Sequence, residues 1–270
     1  MRGEGALIDP RAIIDPSARI GANVHIGPWT IIDADVEIGD ECWIASHVVL
    51  RGPTRLGPRN RIYQFATVGE ATPAVVYRGE PTTLDIGADN VIREGVTMHR
   101  GTVQDQGRTV VGDHNLFMAY VHVGHDCIVG SNVIMANNSS ASGHVRVGDH
   151  ANIGGYAGIP QYRTIGAYTM IGGMSLVLKD VPAFVSVSGN PAAAVGMNVE
   201  GMRRRNLANE VVEALREAYR IVYRGGLTTN AAVEACTPLA AKFVEVRQFL
   251  DSILSSKLGI IRPRHESHAD

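Results

Sequence analysis

Five of the ten histidines stand where they could do chemistry: His99, His122, His125, His144 and His150. The densest stretch is Tyr120-Val121-His122-Val123-Gly124-His125-Asp126-Cys127. An imidazole followed directly by a carboxylate is a general base with its own orienting and charge-balancing partner. A second chemistry, zinc held by three imidazoles from neighbouring turns or subunits, uses the same residue type. His122 and His125 flank an apolar residue, however, and a short strand presents such a pair to one ion poorly. No Ser-His-Asp order, phosphate-cradling glycine loop or CxxC pair points elsewhere.

The elements that must hold these residues are set by a six-residue repeat. Every sixth residue from Ile8 to Val68 is aliphatic: Ile8, Ile14, Ile20, Ile26, Ile32, Ile38, Ile44, Leu50, Leu56, Ile62 and Val68. A second ladder runs from Val111 through Phe117, Val123, Val129 and Met135 to Val177, and Ile86, Ile92 and Met98 form a short rung between the two. Glycine often follows the ladder residue, as at Gly21, Gly27, Gly124 and Gly130. A helix repeats at 3.6 and a strand at 2, so neither explains period six. A hexapeptide β-helix does: each hexad gives a short strand and a turn, and glycine is expected to permit the turn backbone. Three hexads close one triangular coil, so residues 18 apart stack.

That geometry connects the histidines. Val123 points inward, so His122 and His125 face outward or lie in a turn. Position 143, one coil above His125, is glycine, and His144 is its neighbour. The stacking predicts an exposed backbone N–H beside an imidazole base, which is what acyl transfer requires. The base removes a hydroxyl proton, worth about 10²–10⁴-fold. The N–H stabilises the tetrahedral oxyanion, worth about 3–4 kcal/mol.

Two segments break the repeat, near residues 70–84 and 101–109, and are expected to leave the coil as loops on one face. The coil is expected to span 1–190 and a helical C-terminal domain 191–270. In the latter, Val211 to Tyr223 form an amphipathic stripe ended by Gly225-Gly226. Thr229 would cap a second helix, Pro238 would interrupt it, and Phe243 to Leu254 mark a third. The polar tail after Ile261 is expected to fray.

Composition agrees and excludes partners. Glycine is 30 of 270 residues, aromatic residues are 6% and charged residues 19%, which suits a narrow coil better than an ordinary core. Lys and Arg number 25 against 27 Asp and Glu, so no basic field favours nucleic acid. Cys42, Cys127 and Cys236 are odd in number and widely spaced, as in reduced thiols. The sequence has no apolar leader and no stretch of about 18 apolar residues, so a cytoplasmic protein without stable membrane insertion is expected.

Several segments together resemble the acyl carrier protein-dependent UDP-N-acetylglucosamine O-acyltransferases of lipid A synthesis. They are Ile62 to Phe65, Gly79-Glu80-Pro81-Thr82, Val96 to Thr102, His122 to Cys127, Ala136-Asn137-Asn138, Ser142 to Val145, Gly189 to Ala192 and Asn198 to Arg205. The hexad ladder alone is shared with acetyltransferases and a carbonic anhydrase class; the combination is much narrower.

The resemblance implies a left-handed parallel β-helix, a homotrimer with sites between subunits, an acyl carrier protein donor, a UDP-amino-sugar acceptor, and no cofactor or metal. It makes His125 the general base supported by Asp126, and the Gly143 N–H the oxyanion donor. His99, His122, His144, Gln161, Asn198, Glu200, Arg204 and Arg205 match positions that contact substrate, and the arginine forks suit phosphate. Gly173 matches a position bounding the acyl pocket, and its size implies a long acyl chain. Two positions depart from the pattern. Pro73-Ala74-Val75-Val76 replaces a stretch that carries an acidic residue and a lysine, and Pro160 replaces a histidine. Weaker acceptor positioning, a modified acceptor, or a UDP-sugar-binding trimer without turnover would each fit those losses.

Overall fold

The structure is a computed structural model that describes residues 3–264. Twenty-five short strands, from Leu7–Ile8 to Met170–Ile171, wind into a left-handed parallel β-helix with three sheets as its faces. The pairing follows the expected stacking: Leu7 lies beside His25, Ile13 beside Ile31, and His122 beside Ser140. Ladder residues fill the coil, with Ile26, Leu50, Ile92, Phe117, Val123 and Ile171 at 1% exposure or less. Val24, Thr30 and Val36, two places before a ladder residue, fill the corners.

The glycines play a different part from the one expected. The left-handed turn conformation falls three places after the ladder residue, where the side chains are Asn23, Trp29, Tyr120, Asp126, Asn132, His144 and Tyr162, with φ between 55° and 64°. The glycines that directly follow the ladder, Gly69 apart, do not take positive φ. They are needed for stacking: a Cβ on Gly124 would lie 2.7 Å from the Gly143 amide nitrogen of the next coil, and one on Gly39 2.7 Å from the Gly57 carbonyl carbon.

The two excursions leave the coil without breaking it. Ile62 pairs with Ile92, thirty residues on, and Leu116 with Val91, twenty-five back, so each loop is an insertion into one turn. After Ile171 the strand Val185–Ser188 pairs antiparallel with Ala193–Met197. Four helices follow: α1 (Val199–Arg204), α2 (Asn209–Arg224), α3 (Thr229–Lys242) and α4 (Val244–Leu254). Ser252 Oγ accepts the Ala183 N–H at 2.9 Å and Ser256 donates to Asp180 at 2.7 Å, which ties α4 and the segment after it to the last coil.

Two expectations in this part are corrected. Thr228, not Thr229, caps α3, accepting the Ala231 N–H. Pro238 lies inside α3 rather than interrupting it. Ala232, Cys236 and Ala240 continue one buried face across the proline, and that burial outweighs the lost backbone bond. The polar tail is described only as far as residue 264, and the remainder lies outside the described residues.

Phe117 is fully buried at the level of the histidine cluster. Replacing it with alanine should cost about 3–5 kcal/mol in guanidinium unfolding; a loss below about 1 kcal/mol would contradict the packed-coil account.

Candidate active site

One corner of the prism stacks Asp126, His144 and Tyr162 in the left-handed turn position, and His125, Gly143 and Gln161 one residue earlier. His125 Nδ1 meets Asp126 Oδ2 at 2.8 Å, and both side chains are largely buried. Asp126 also accepts the Thr102 N–H at 2.9 and 3.0 Å and the Thr102 hydroxyl at 2.7 Å. Its own N–H donates to Thr109 Oγ1 at 2.8 Å. Burial alone would raise the Asp126 carboxyl, but the hydrogen bonds from His125 and Thr102 outweigh it and hold the group below the usual carboxylate range. Asp126 therefore stays ionised beside the imidazole.

Gly143 touches the His125 ring: a Cβ there would collide with Nε2 and Cε1. Its N–H makes no hydrogen bond among the described residues, whereas Ser131, at the equivalent place on another corner, gives its N–H to Asp149 Oδ1 at 2.8 Å. The His125 imidazole and the Gly143 N–H thus lie side by side. They open on a cleft of about 630 Å³ that His99, His122, His144 and Gln161 also line. The opposite wall is the first loop, Pro73-Ala74-Val75-Val76, which is wholly apolar.

The other histidines are fixed by neighbours. His122 Nδ1 is hydrogen-bonded to Thr97 Oγ1 at 2.8 Å, and its ring meets His99 edge-on at 5.1 Å. His144 Nδ1 meets Asp105 Oδ2 at 2.8 Å, and its ring stacks on Tyr162 at 4.4 Å. His125, Asp126 and His144 offer ligand atoms within 4.8 Å of one another, and within that group Asp126 is hydrogen-bonded to Thr102 and His144 to Asp105. His122, half of the pair weighed for zinc, is not in that group.

The remaining predicted residues lie on other corners. Asn198 caps α1 and donates to the Tyr168 carbonyl at 2.9 Å. Arg205 donates to His150 Nδ1, and Glu200 and Arg204 form an exposed pair at 2.8 Å. Gly173 stacks over Gly155 on the third corner, where a Cβ would lie 3.3 Å from the Gly155 carbonyl oxygen. Thr102, Asp105, Thr109 and Tyr162 contact the histidine cluster but were given no role by the sequence. The only signal for the first three was their place in the segment that shifts the repeat.

Residues 180–261 match the model of UDP-N-acetylglucosamine O-acyltransferase, domain 2, and residues 108–141 the bacterial transferase hexapeptide repeat. The acyl-[acyl-carrier-protein]–UDP-N-acetylglucosamine O-acyltransferase of Stutzerimonas stutzeri is 58% identical over 95% of this chain and its own full length. That of Saccharophagus degradans is 56% identical over 95% of this chain and 99% of its own. The chain belongs to this acyltransferase family. Family structures superpose closely: LpxA from Acinetobacter baumannii has a TM-score of 0.93 at 49% identity, covering 95% of this chain and all of its own. The Francisella novicida UDP-N-acetylglucosamine acyltransferase has a TM-score of 0.94 at 34% identity, covering 96% and 95%.

Burial, with the charge of His122 beside it, lowers His99 from 6.5 to about 4. Such a histidine is neutral in both folded and unfolded chains above pH 6.5. Its contribution is then lost as pH falls from 6.5 toward 4, where only the unfolded chain takes up the proton. Proton NMR should place the His99 midpoint near 4, and His99→Gln should flatten the acid-side loss of stability over that window. A midpoint near 6.5 would contradict this.

Proposed function

We propose that this family member transfers an acyl group from an acyl carrier protein thioester to the 3-hydroxyl of UDP-N-acetylglucosamine, the first step of lipid A synthesis, with His125 as general base. The observation that carries the reading is the contact between the His125–Asp126 pair and the unpaired Gly143 N–H in one cleft. His125 Nε2 takes the hydroxyl proton as the sugar oxygen attacks the thioester carbonyl. The C–O bond forms, and the negative charge moves to the carbonyl oxygen, which the Gly143 N–H stabilises. Collapse breaks the C–S bond, and the imidazolium returns its proton to the departing thiolate. Ionised Asp126 stabilises that imidazolium throughout. An exchange of ester for thioester changes no oxidation state, so the chemistry calls for no redox cofactor.

The placement of the other residues supports a homotrimer. His125, the Asn198–Arg205 group and Gly173 stand on three corners of one chain, so a site that uses all of them takes them from neighbouring subunits. Trp29, Phe65, Tyr120, Tyr156 and Met174 project from the Gly173 corner, and each is more than half exposed in a single chain. Such a ridge suits burial by a partner. Arg204 and Arg205 would then meet the acceptor diphosphate across the interface, and Gly173 would leave room for a long acyl chain. Carrier-bound thioesters and UDP-sugars are cytoplasmic, and we place the chain there. Among the described residues no helix is long and apolar enough to cross a membrane.

The apolar wall at Pro73 to Val76 offers the acceptor sugar no charge. A panel of acyl carrier protein thioesters with UDP-N-acetylglucosamine and its 3-amino analogue tests the reading. The expected result is an O-acyl product, best with the longer chains. Product from the amino analogue alone would redirect the acceptor, and UDP-sugar binding without any product would overturn acyl transfer. Stoichiometric zinc lost on replacing His122 or His125 would point to a hydrase instead. Within the same assay, Thr102→Val removes one donor from Asp126 and should lower kcat about tenfold with little change in acceptor KM; an unchanged kcat would contradict the role given to that bond.

A further inference from the structure

We infer that Asp105 is a positioning residue for this reaction: it holds the His144 N–H away from Asp126 and thereby reserves that carboxylate for His125. The inference rests on the reading of His125 as the base, and it concerns a residue for which the hexad repeat supplies no reason.

Asp126 Oδ2 is crowded. It accepts from His125 Nδ1 at 2.8 Å, from Thr102 Oγ1 at 2.7 Å and from the Thr102 N–H at 3.0 Å. His144 Nδ1 lies only 4.0 Å from the same oxygen. Stacking at eighteen residues makes this unavoidable, because His144 occupies the corner position directly above Asp126. Two imidazole donors therefore face one carboxylate oxygen that has no capacity for both. Asp105 Oδ2 resolves the competition by accepting from His144 Nδ1 at 2.8 Å. With that proton committed, the donor side of the His144 ring faces Asp105 and not Asp126. Stacking on Tyr162, 9° from parallel, and the edge-on contact with His125 at 4.8 Å then fix its plane.

Asp105 reaches this place only because the chain leaves the coil between His99 and Arg108. The same excursion delivers Thr102 to Asp126, and its far end delivers Thr109 Oγ1 to the Asp126 N–H. One loop thus orients both histidines: His125 through Asp126, and His144 directly.

If Asp105 is removed, the His144 N–H turns toward Asp126, and His125 shares its partner. Asp105→Ala should lower kcat about tenfold, a loss typical of a misaligned base. Asp105→Asn keeps an acceptor oxygen and should restore most of the rate. In the His144→Ala background no competitor remains, so adding Asp105→Ala should cost nothing further in kcat; the double-mutant cycle reads this directly. Nitrogen-15 histidine NMR supplies a readout independent of turnover. The His125 Nδ1–H signal should move in Asp105→Ala and stay at its wild-type position in Asp105→Asn. Equal kcat losses in the two backgrounds, or a His125 signal unmoved by Asp105→Ala, would overturn the inference. A wild-type protein without transferase activity would overturn the reading of the base, while the NMR comparison would still decide the role of Asp105.

Discussion

The hydrogen bond from His125 Nδ1 to Asp126 Oδ2, 2.8 Å long and shielded from solvent, is the contact on which the site depends. It joins adjacent residues of one turn, so its geometry is set by the backbone that carries them. Asp126 takes the left-handed conformation that most rungs use at the corner, with φ of 58°. Thr102 and Thr109 then pin the carboxylate and its amide from the second loop. Buried without those donors, the carboxylate would gain a proton more easily and lose its value to an imidazolium. Coil, corner and loop all bear on this one pair.

The scaffold is repetitive and its chemistry is local. Most rungs present the same backbone, with an inward apolar residue, a close stacking contact and a left-handed corner residue. What distinguishes the active corner is the choice of side chain at two stacked positions. A histidine faces a glycine there, beside a glycine amide that, like those of Gly155 and Gly173 on the third corner, makes no hydrogen bond among the described residues. At another corner the matching amide of Ser131 is taken by Asp149, and the same backbone is merely structural. Small changes of residue type on a fixed frame thus decide between support and catalysis.

Much of this was legible in the sequence, because period six converts directly into spatial neighbours. The ladder from Ile8 to Val68 gave the coil, and the spacing of eighteen put Gly143 on His125. The role of the ladder glycines was not legible, because tight stacking between coils and a left-handed turn both favour glycine. The loop contributions were hidden for a different reason. An insertion destroys the register that made the rest readable, so nothing in the sequence tied Thr102 to Asp126 or Asp105 to His144. Nor does a repeat reveal that Asn198 and Arg205 stand on another corner from His125. Their corner is set by the path of the chain after the coil ends. Pro238 misled because propensity weighs one lost bond and overlooks a buried face that runs past it.

The central claim is that His125 removes the acceptor proton. The most direct test is the kcat of acyl transfer by His125→Ala, measured beside its thermal midpoint. The account predicts a loss of at least about 10²-fold with the fold intact. A folded His125→Ala protein that turns over at the wild-type rate would contradict it.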